Sequence, residues 1–136
     1  MSDADQVREA AATLVAAFAR HDVDNYFTSF APGATFLFHN VDHVIADRAQ
    51  YEALWSSWEA EGLRVLGCTS SNAVVQMIGP DAAVFHHTVR TTLANGEGSI
   101  ESGERESIVF ARIDGTWRGV HEHLSVDPTF ESATGR

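Results

Sequence analysis

Apolar residues recur at helical spacing in three segments of the first half of the chain. Within residues 3–20, 22–30 and 48–61 they return every three or four positions, which places them on one face of a helix. Ala31-Pro32-Gly33 cannot continue the second segment as a helix, and Gly62 follows the third segment where a helix end favours glycine. The pattern therefore predicts three helices.

β-branched and aromatic residues mark the remaining elements. One strand is predicted at residues 34–40, and from residue 63 onward only strand patterns occur. The later strands cover residues 65–77, 82–93, 104–113 and 116–126, with turns at Gly79-Pro80-Asp81, Asn95-Gly96 and Asp114-Gly115. Helices at the start and strands at the end predict an α+β fold, with three N-terminal helices packed on a strongly curved antiparallel sheet. Because long strands coil, we expect a cone-shaped domain with an internal cavity.

Composition and charge narrow the range of partners. The chain has 136 residues, of which 44% are hydrophobic, and this suffices for one domain, expected at residues 1–128, followed by a flexible tail at 129–136. The formal net charge is −10 and no lysine occurs, so neither nucleic acid nor a membrane is an expected partner. A single cysteine, Cys68, and the lack of an apolar leader favour a cytoplasmic protein.

The last hairpin carries the residues that point to a family. From Asp114 to Ser125 it reads D-G-x-W-x-x-V-H-x-H-x-S. Together with the order of elements, this motif resembles the SnoaL-like or NTF2-like superfamily, in particular the branch that includes the association domain of calcium/calmodulin-dependent kinase II. Further matching residues are Ile78-Gly79, Asp81-Ala82-Ala83, Glu106 and Val109. The resemblance implies the cone-shaped, cystatin-like fold, which hosts isomerases, cyclases, hydrolases and assembly domains.

Two departures limit what this resemblance implies about chemistry. The kinase association domain lines its cavity with arginines, whereas the corresponding positions here are Val89, Ile108 and Leu124. Ketosteroid isomerase, which has the same fold, uses an Asp base with Tyr and Asp as hydrogen-bond donors. The aligned positions here are Phe38, Leu14 and Val109. The implied fold is therefore ketosteroid-isomerase-like, without the catalytic residues of that enzyme.

Alternation along the strands assigns a set of side chains to the cavity. If Val89, Ile108 and Leu124 face the cavity, the residues two positions away on the same strands face it too. The expected substrate-binding residues are mostly aromatic or aliphatic: Tyr26, Phe36, Phe38, Asn40, Trp55, Trp58, Phe85, Val89, Ile108, Val120 and Leu124. Such a lining suits a small, largely apolar molecule. A β-bulge would reverse part of this assignment.

Two titratable residues assigned to the same face are candidates for catalysis. Glu122 would lie among apolar side chains, which raise the pKa of a carboxyl and suit it to general acid or base catalysis. His87 would form a proton relay with Glu122 across the strands. Alternatively, Glu122 pairs with Arg90, Arg105 or Arg112 at the rim of the sheet, and His87 is a satisfied histidine in a mixed lining.

The opposite face of the last strand is assigned Trp117, His121 and His123. We expect the two histidines to be structural, bonded to neighbouring strands or to a partner subunit. A metal site is the less favoured alternative, because no spacing brings further ligands towards them. Burial of this face in a homodimer would remove an exposed patch.

These features favour a small-molecule-binding protein that forms a homodimer. If it is an enzyme, we expect a cofactor-free isomerase, cyclase or lyase that moves a proton on a carbonyl compound through Glu122 and His87. The alternative is a non-catalytic dimerisation or ligand-sensing module, which the resemblance to kinase association domains implies.

Overall fold

A computed structural model describes residues 1–130 of the chain. Its helices are α1 (Asp3–Ala19), α2 (Val23–Thr28) and α3 (Arg48–Ala60), as the apolar spacing predicted. Each helix follows a side chain that accepts a hydrogen bond from a backbone N–H of its first turn: Ser2, Asp22 and Asp47. Within residues 1–130, no helix has the length and apolar character that crossing a bilayer requires.

The sheet of the described residues has five strands: β1 (Phe30–Phe38), β2 (Leu63–Met77), β3 (Ala82–Asn95), β4 (Ser99–Ile113) and β5 (Thr116–Val126). Their spatial order is β1-β5-β4-β3-β2. Strands β2 to β5 form the antiparallel meander that the turn residues predicted. β1 pairs with β5 in parallel, so the sheet is mostly rather than wholly antiparallel. Parallel neighbours need a long connection, which the chain from α3 to β4 supplies.

The first strand begins earlier than the sequence predicted. Ala31-Pro32-Gly33 follows α2 but already belongs to β1, which starts at Phe30. The pairing of β1 with β5 shifts between Phe30 and Thr35, so this stretch is an irregular start to the strand. It lies at an edge of the sheet, where a proline removes no ladder hydrogen bond that a central strand would need.

The helices cover one face of the curved sheet and enclose an aromatic core. The Tyr51 ring of α3 lies at its centre, 4.5 Å from Phe36, 5.0 Å from Phe27 and 5.2 Å from Phe38 between ring centroids. Tilted and edge-to-face pairs of this kind stabilise a core beyond the area that they bury. The predicted α+β class, with helices on one face of a curled sheet, is confirmed.

A β-bulge in β5 changes which face its residues occupy. Val109 pairs with His121 but Phe110 pairs with Gly119, so Val120 is the unpaired extra residue. On the hairpin side of the bulge, Trp117 therefore points towards the helices, where it is 8% exposed and its indole N–H donates to Gln6. The expectation that Trp117 shares the outer face with His121 is wrong, because strand alternation was applied without the bulge.

The chain remains packed beyond the end of β5. Asp127 accepts hydrogen bonds from the backbone and the hydroxyl of Thr129, at 3.0 and 2.9 Å. The Phe130 ring lies against Gly103, and the Arg90 guanidinium is 5.0 Å from its centroid. Thr129 and Phe130 therefore join the folded domain, although the sequence assigned them to a flexible tail. The rest of that predicted tail, residues 131–136, lies outside the described residues.

Candidate functional site

A cavity of about 460 Å³ lies between the helices and the inner face of the sheet. Sites for small molecules in proteins commonly enclose roughly 300–1,000 Å³. The helical side of its wall is mostly aromatic and includes Phe18, Tyr26, Tyr51, Trp55 and Trp58. The sheet contributes aliphatic and acidic residues: Val89, Leu93, Glu104, Glu106, Glu122 and Leu124. Exposed residues that we call the mouth surround its open end: Asn40, Glu61, Asn95 and Ile100.

The predicted lining is found in part. Seven of the residues assigned to the cavity do line it: Tyr26, Phe38, Asn40, Trp55, Trp58, Val89 and Leu124. Phe36, Phe85 and Ile108 instead lie in the packed core, with 0%, 4% and 0% of their surface exposed. Val120 does not line the cavity either, because the bulge takes it out of the strand alternation. The role of the lining residues in substrate binding stays a prediction.

A pair of carboxyl groups forms part of the cavity wall. Glu106 on β4 and Glu122 on β5 are diagonal neighbours on the inner face, since Glu122 lies opposite Ile108 and Glu106 lies opposite Leu124. Glu122 is only 3% exposed, and within residues 1–130 its Oε1 atom has no hydrogen-bond partner. The sheet therefore holds an incompletely bonded carboxyl in contact with the cavity.

Arginines do not neutralise Glu122. Arg90 pairs with Asp127 at 2.8 Å, and Arg112 pairs with Asp3 and Asp81 at 3.1 and 3.0 Å. Arg105, the third candidate partner, is exposed, whereas Glu122 is buried and forms no ion pair within residues 1–130. The alternative in which Glu122 forms an ion pair at the sheet rim is therefore wrong.

His87 lies behind the carboxyl pair. Its side chain is fully buried, its Nε2 is 2.5 Å from Oε1 of Glu106, and its Nδ1 is 2.6 Å from the Ser70 hydroxyl. His87 thus reaches Glu122 through Glu106 and does not contact the cavity itself. The sequence singled out Glu106 through the family resemblance, but its role as the link between His87 and Glu122 was not predicted. Glu106 lies directly opposite His87, and this pairing could have been found only by knowing the register between β3 and β4.

The two carboxyl groups are driven to opposite protonation states. Burial, followed by the negative charges of Glu106 and Glu104, raises the pKa of Glu122 well above its ordinary value. Burial also acts to raise the pKa of Glu106, but hydrogen bonds with Glu122 and His87 outweigh it and hold that pKa below its ordinary value. The proton of the pair is therefore carried by Glu122, and the two groups titrate as a unit.

The aromatic side of the wall adds a second polar atom without a partner. Trp55 is 4% exposed, and its indole Nε1 has no hydrogen-bond acceptor among the described residues. Nearby, the hydroxyl groups of Tyr26 and Tyr51 bond to each other at 2.8 Å. Burial raises the pKa of Tyr51 well above its ordinary value, so this hydroxyl stays neutral. Both residues of the described chain that carry an unpartnered buried polar atom, Trp55 and Glu122, thus belong to the cavity wall.

The cavity wall carries a further carboxyl group. Glu104 bonds to Nε2 of His39 at 2.6 Å, and both residues line the cavity. His39 is the one basic side chain of the described lining, which contains no arginine. An anion would therefore meet carboxylates along most of its path.

The histidines of the outer sheet face make contacts within the sheet. Nδ1 of His121 lies 2.8 Å from the Thr35 hydroxyl of β1, and Nδ1 of His86 lies 3.0 Å from the Ser107 hydroxyl of β4. Burial, and then the neighbouring His123, lowers the pKa of His121. His121 thus bonds to a neighbouring strand, as a structural residue does.

Comparison with known proteins gives a family and a fold. Residues 7–128 match the model of a family described as SnoaL-like domain. The hub homology domain of CamKII from Chlamydomonas reinhardtii is 24% identical, with a TM-score of 0.74 over 93% of this chain and 99% of that one. An NTF2-like protein from Cytophaga hutchinsonii is 16% identical, with a TM-score of 0.79 over 93% and 100% of the two chains.

A ketosteroid isomerase-like protein from Erwinia carotovora atroseptica is 12% identical, with a TM-score of 0.77 over 92% of this chain and 96% of that one. No curated protein gives a sequence match. At these identities the likeness to solved structures shows the fold alone.

Proposed function

Since the chain belongs to the SnoaL-like domain family, we propose that it binds a small, largely apolar molecule in the cavity and exchanges a proton with it through Glu122. The observation that carries this proposal is the buried Glu122 carboxyl, whose Oε1 atom is unpartnered within residues 1–130 and which lines a cavity of about 460 Å³. A buried polar group without a partner costs free energy, and a bound molecule that supplies the partner would offset this cost.

The carboxyl pair is suited to proton transfer. Glu122 carries the proton of the pair and borders the cavity, so it acts as the general acid. Once Glu122 has lost its proton, two like charges adjoin, and the bond from His87 to Glu106 offers a route by which the proton is replaced. Ser70 completes this route, since it bonds to His87 and lies on the exposed part of β2. A cofactor-free isomerase, cyclase or lyase acting on a carbonyl compound requires such a donor.

Binding is tested with a neutral apolar probe. N-phenyl-naphthylamine should bind with saturable fluorescence and one site per chain. Leu124→Trp should abolish this signal because the larger ring occupies the cavity. His123→Trp is the matched control, since it adds the same ring one residue away on the exposed outer face. Equal binding to both variants, or no saturable binding to the natural protein, contradicts the proposal.

A non-catalytic module is the second candidate function. The outer face of the sheet leaves large apolar side chains exposed at Leu37 and Val74, at 38% and 54%. We propose that this face is the homodimer interface, because burial there removes apolar surface from water. Under this proposal the cavity senses a ligand and the dimer transmits its presence. A cytoplasmic location likewise stays a prediction.

A further inference from the structure

We propose that the molecule bound in the cavity is a small, largely apolar amine, whose protonated nitrogen pairs with the carboxyl groups of Glu106 and Glu122. This inference rests on the proposed function, because it names the class of ligand for the same cavity. It follows from three features of the wall: its charge, its unpartnered atoms and its rings.

The charge of the wall selects against anions and favours cations. Four glutamates line the cavity, Glu61 and Glu104 towards the mouth and Glu106 and Glu122 deeper in the wall. Within the described part of the chain no arginine joins them, and the sequence contains no lysine. A carboxylate or phosphate ligand would therefore lose its hydration without gaining a cationic partner.

Arginines of the described chain have partners elsewhere. Arg48 donates to the backbone carbonyl of Phe30, Arg118 donates to that of Thr28, and Arg20 pairs with Asp22. None of these guanidinium groups belongs to the cavity wall. His87 bonds to Glu106, so a positive charge beside Glu122 has to arrive with the ligand.

The two unpartnered atoms of the cavity wall indicate which side chains the polar groups of the ligand would approach. The Oε1 atom of Glu122 is a free hydrogen-bond acceptor once the carboxyl is ionised, and an ammonium group has only donors to offer. A cation beside the pair permits Glu106 and Glu122 to be ionised together, which their mutual repulsion otherwise opposes. The indole N–H of Trp55 needs an acceptor, so an oxygen elsewhere on the ligand, in a hydroxyl or carbonyl group, would satisfy it.

The rings of the wall suit the remainder of such a molecule. Tyr26, Tyr51, Trp55 and Trp58 all line the cavity, on the side provided by the helices. Aromatic faces bury the apolar body of an amine and attract its positive charge through the ring quadrupole. Carboxylates opposite a set of aromatic rings form the combination by which proteins recognise organic ammonium groups.

The test compares three probes that share one apolar body and differ in the head group: phenylpropylamine, phenylpropanol and phenylpropanoate. Isothermal titration calorimetry at neutral pH should give the tightest binding for the amine, about tenfold tighter than for the alcohol, a difference near 1.4 kcal/mol. The carboxylate should bind most weakly. If the alcohol binds as tightly as the amine, the inference is overturned while the proposed binding function stands. If no probe binds, the proposed function fails as well.

Matched variants separate the carboxyl pair from the overall negative charge. Glu106→Gln combined with Glu122→Gln should remove the preference for the amine and retain binding of the alcohol, which also reports that the variant is folded. Glu9→Gln combined with Asp24→Asn removes the same number of charges from exposed helix positions and should leave the preference unchanged. Equal loss of preference in both double variants would mean that the surface charge, not the carboxyl pair, attracts the amine.

Should the double variant fail to fold, Glu122→Gln alone provides the same comparison. It retains the Glu106–His87 bond and should reduce the amine preference at least about threefold, since one carboxylate of the pair is missing. An unchanged preference in this variant overturns the inference.

Discussion

A buried carboxyl that is surrounded by apolar side chains and by other carboxyls is expensive to ionise, and Glu122 is such a group. Its neighbour Ile108 is fully buried, and the charges of Glu106 and Glu104 act on it as well. The protein resolves this conflict by keeping the proton on Glu122 and leaving Glu106 bonded to His87. The two side chains of the pair therefore hold one proton, which resides on Glu122.

Glu122→Gln should make the stability of the protein less dependent on pH. The folded protein holds the proton of Glu122 above the ordinary pKa of 4.5, whereas the unfolded chain releases it there. Stability is therefore unaffected below that value and falls as the pH rises from it towards the folded pKa, by up to about 1.4 kcal/mol per pH unit. Glutamine keeps the shape without this titration, so the variant should gain stability relative to the natural protein as the pH rises.

Urea unfolding followed by tryptophan fluorescence, repeated between about pH 5 and pH 8, measures this difference. Glu9→Gln provides the control, because it removes one carboxyl group from an exposed position outside the cavity, and the same series of unfolding curves is recorded for it. A difference between Glu122→Gln and the natural protein that stays constant across the range would contradict a raised pKa for Glu122.

At the level of elements, β5 determines which residues reach the cavity. The bulge at Val120 brings both Trp117 and Glu122 to the inner face, although their spacing in the sequence is odd. Gly119, next to the bulge, pairs with Phe110, and its backbone N–H donates to Ser29. A side chain at this position would meet the buried Phe30 ring, because a Cβ atom there lies 2.7 Å from it. The absence of a side chain therefore permits β1 to pack against β5.

Gly119→Ala should destabilise the fold by about 1–3 kcal/mol, the range found when an extra methyl group is forced into a packed core. Phe30 cannot move aside easily, since it is completely buried. Gly33→Ala is the control in the neighbouring strand: no atom lies within 4 Å of its Cβ position, and the change should be neutral or slightly stabilising. Chemical denaturation of both variants measures the effect, and equal stabilities would show that the close approach is not required.

Local signals in the sequence predicted the elements better than their pairing. The Asp114-Gly115 turn predicted β5 over residues 116–126, which is where the structure has it. The parallel pairing of β1 and the bulge at Val120 depend on contacts between distant segments, for which the sequence has no short-range signal. Alternation from Leu124 places Glu122 in the cavity wall correctly, because no bulge separates these two residues. The same alternation carried past the bulge places Val120 there wrongly. The bond from His87 to Glu106 depends on the pairing of β3 with β4, which the sequence does not show.

At the level of the whole molecule, the two faces of the sheet differ in what lies against them. The inner face carries the core and the cavity, while on the outer face Val84 lies opposite Val109 and Val109 lies opposite His121. Among the described residues, the helices contact the inner face, where Gln6 of α1 bonds to Trp117 and Tyr51 of α3 packs on Phe36. The outer face is therefore the one available for a second copy of the chain, and rows of paired side chains run across it.

Val109→Arg should convert the proposed dimer to a monomer. Val109 lies in a central strand of the outer face, so two copies related by symmetry would bring buried positive charges together without changing the core. Ile78→Arg introduces the same charge at the turn between β2 and β3, where Ile78 is 56% exposed, and should leave the dimer intact.

Native mass spectrometry, with sedimentation equilibrium on the same samples, measures the subunit number of each variant. A monomeric natural protein would contradict the dimer itself, and a Val109→Arg variant that remains a dimer would show that the interface lies elsewhere. Because the cavity opens on the other side of the sheet, probe binding should survive in the monomeric variant, and its loss would instead indicate that the dimer is needed to form the site.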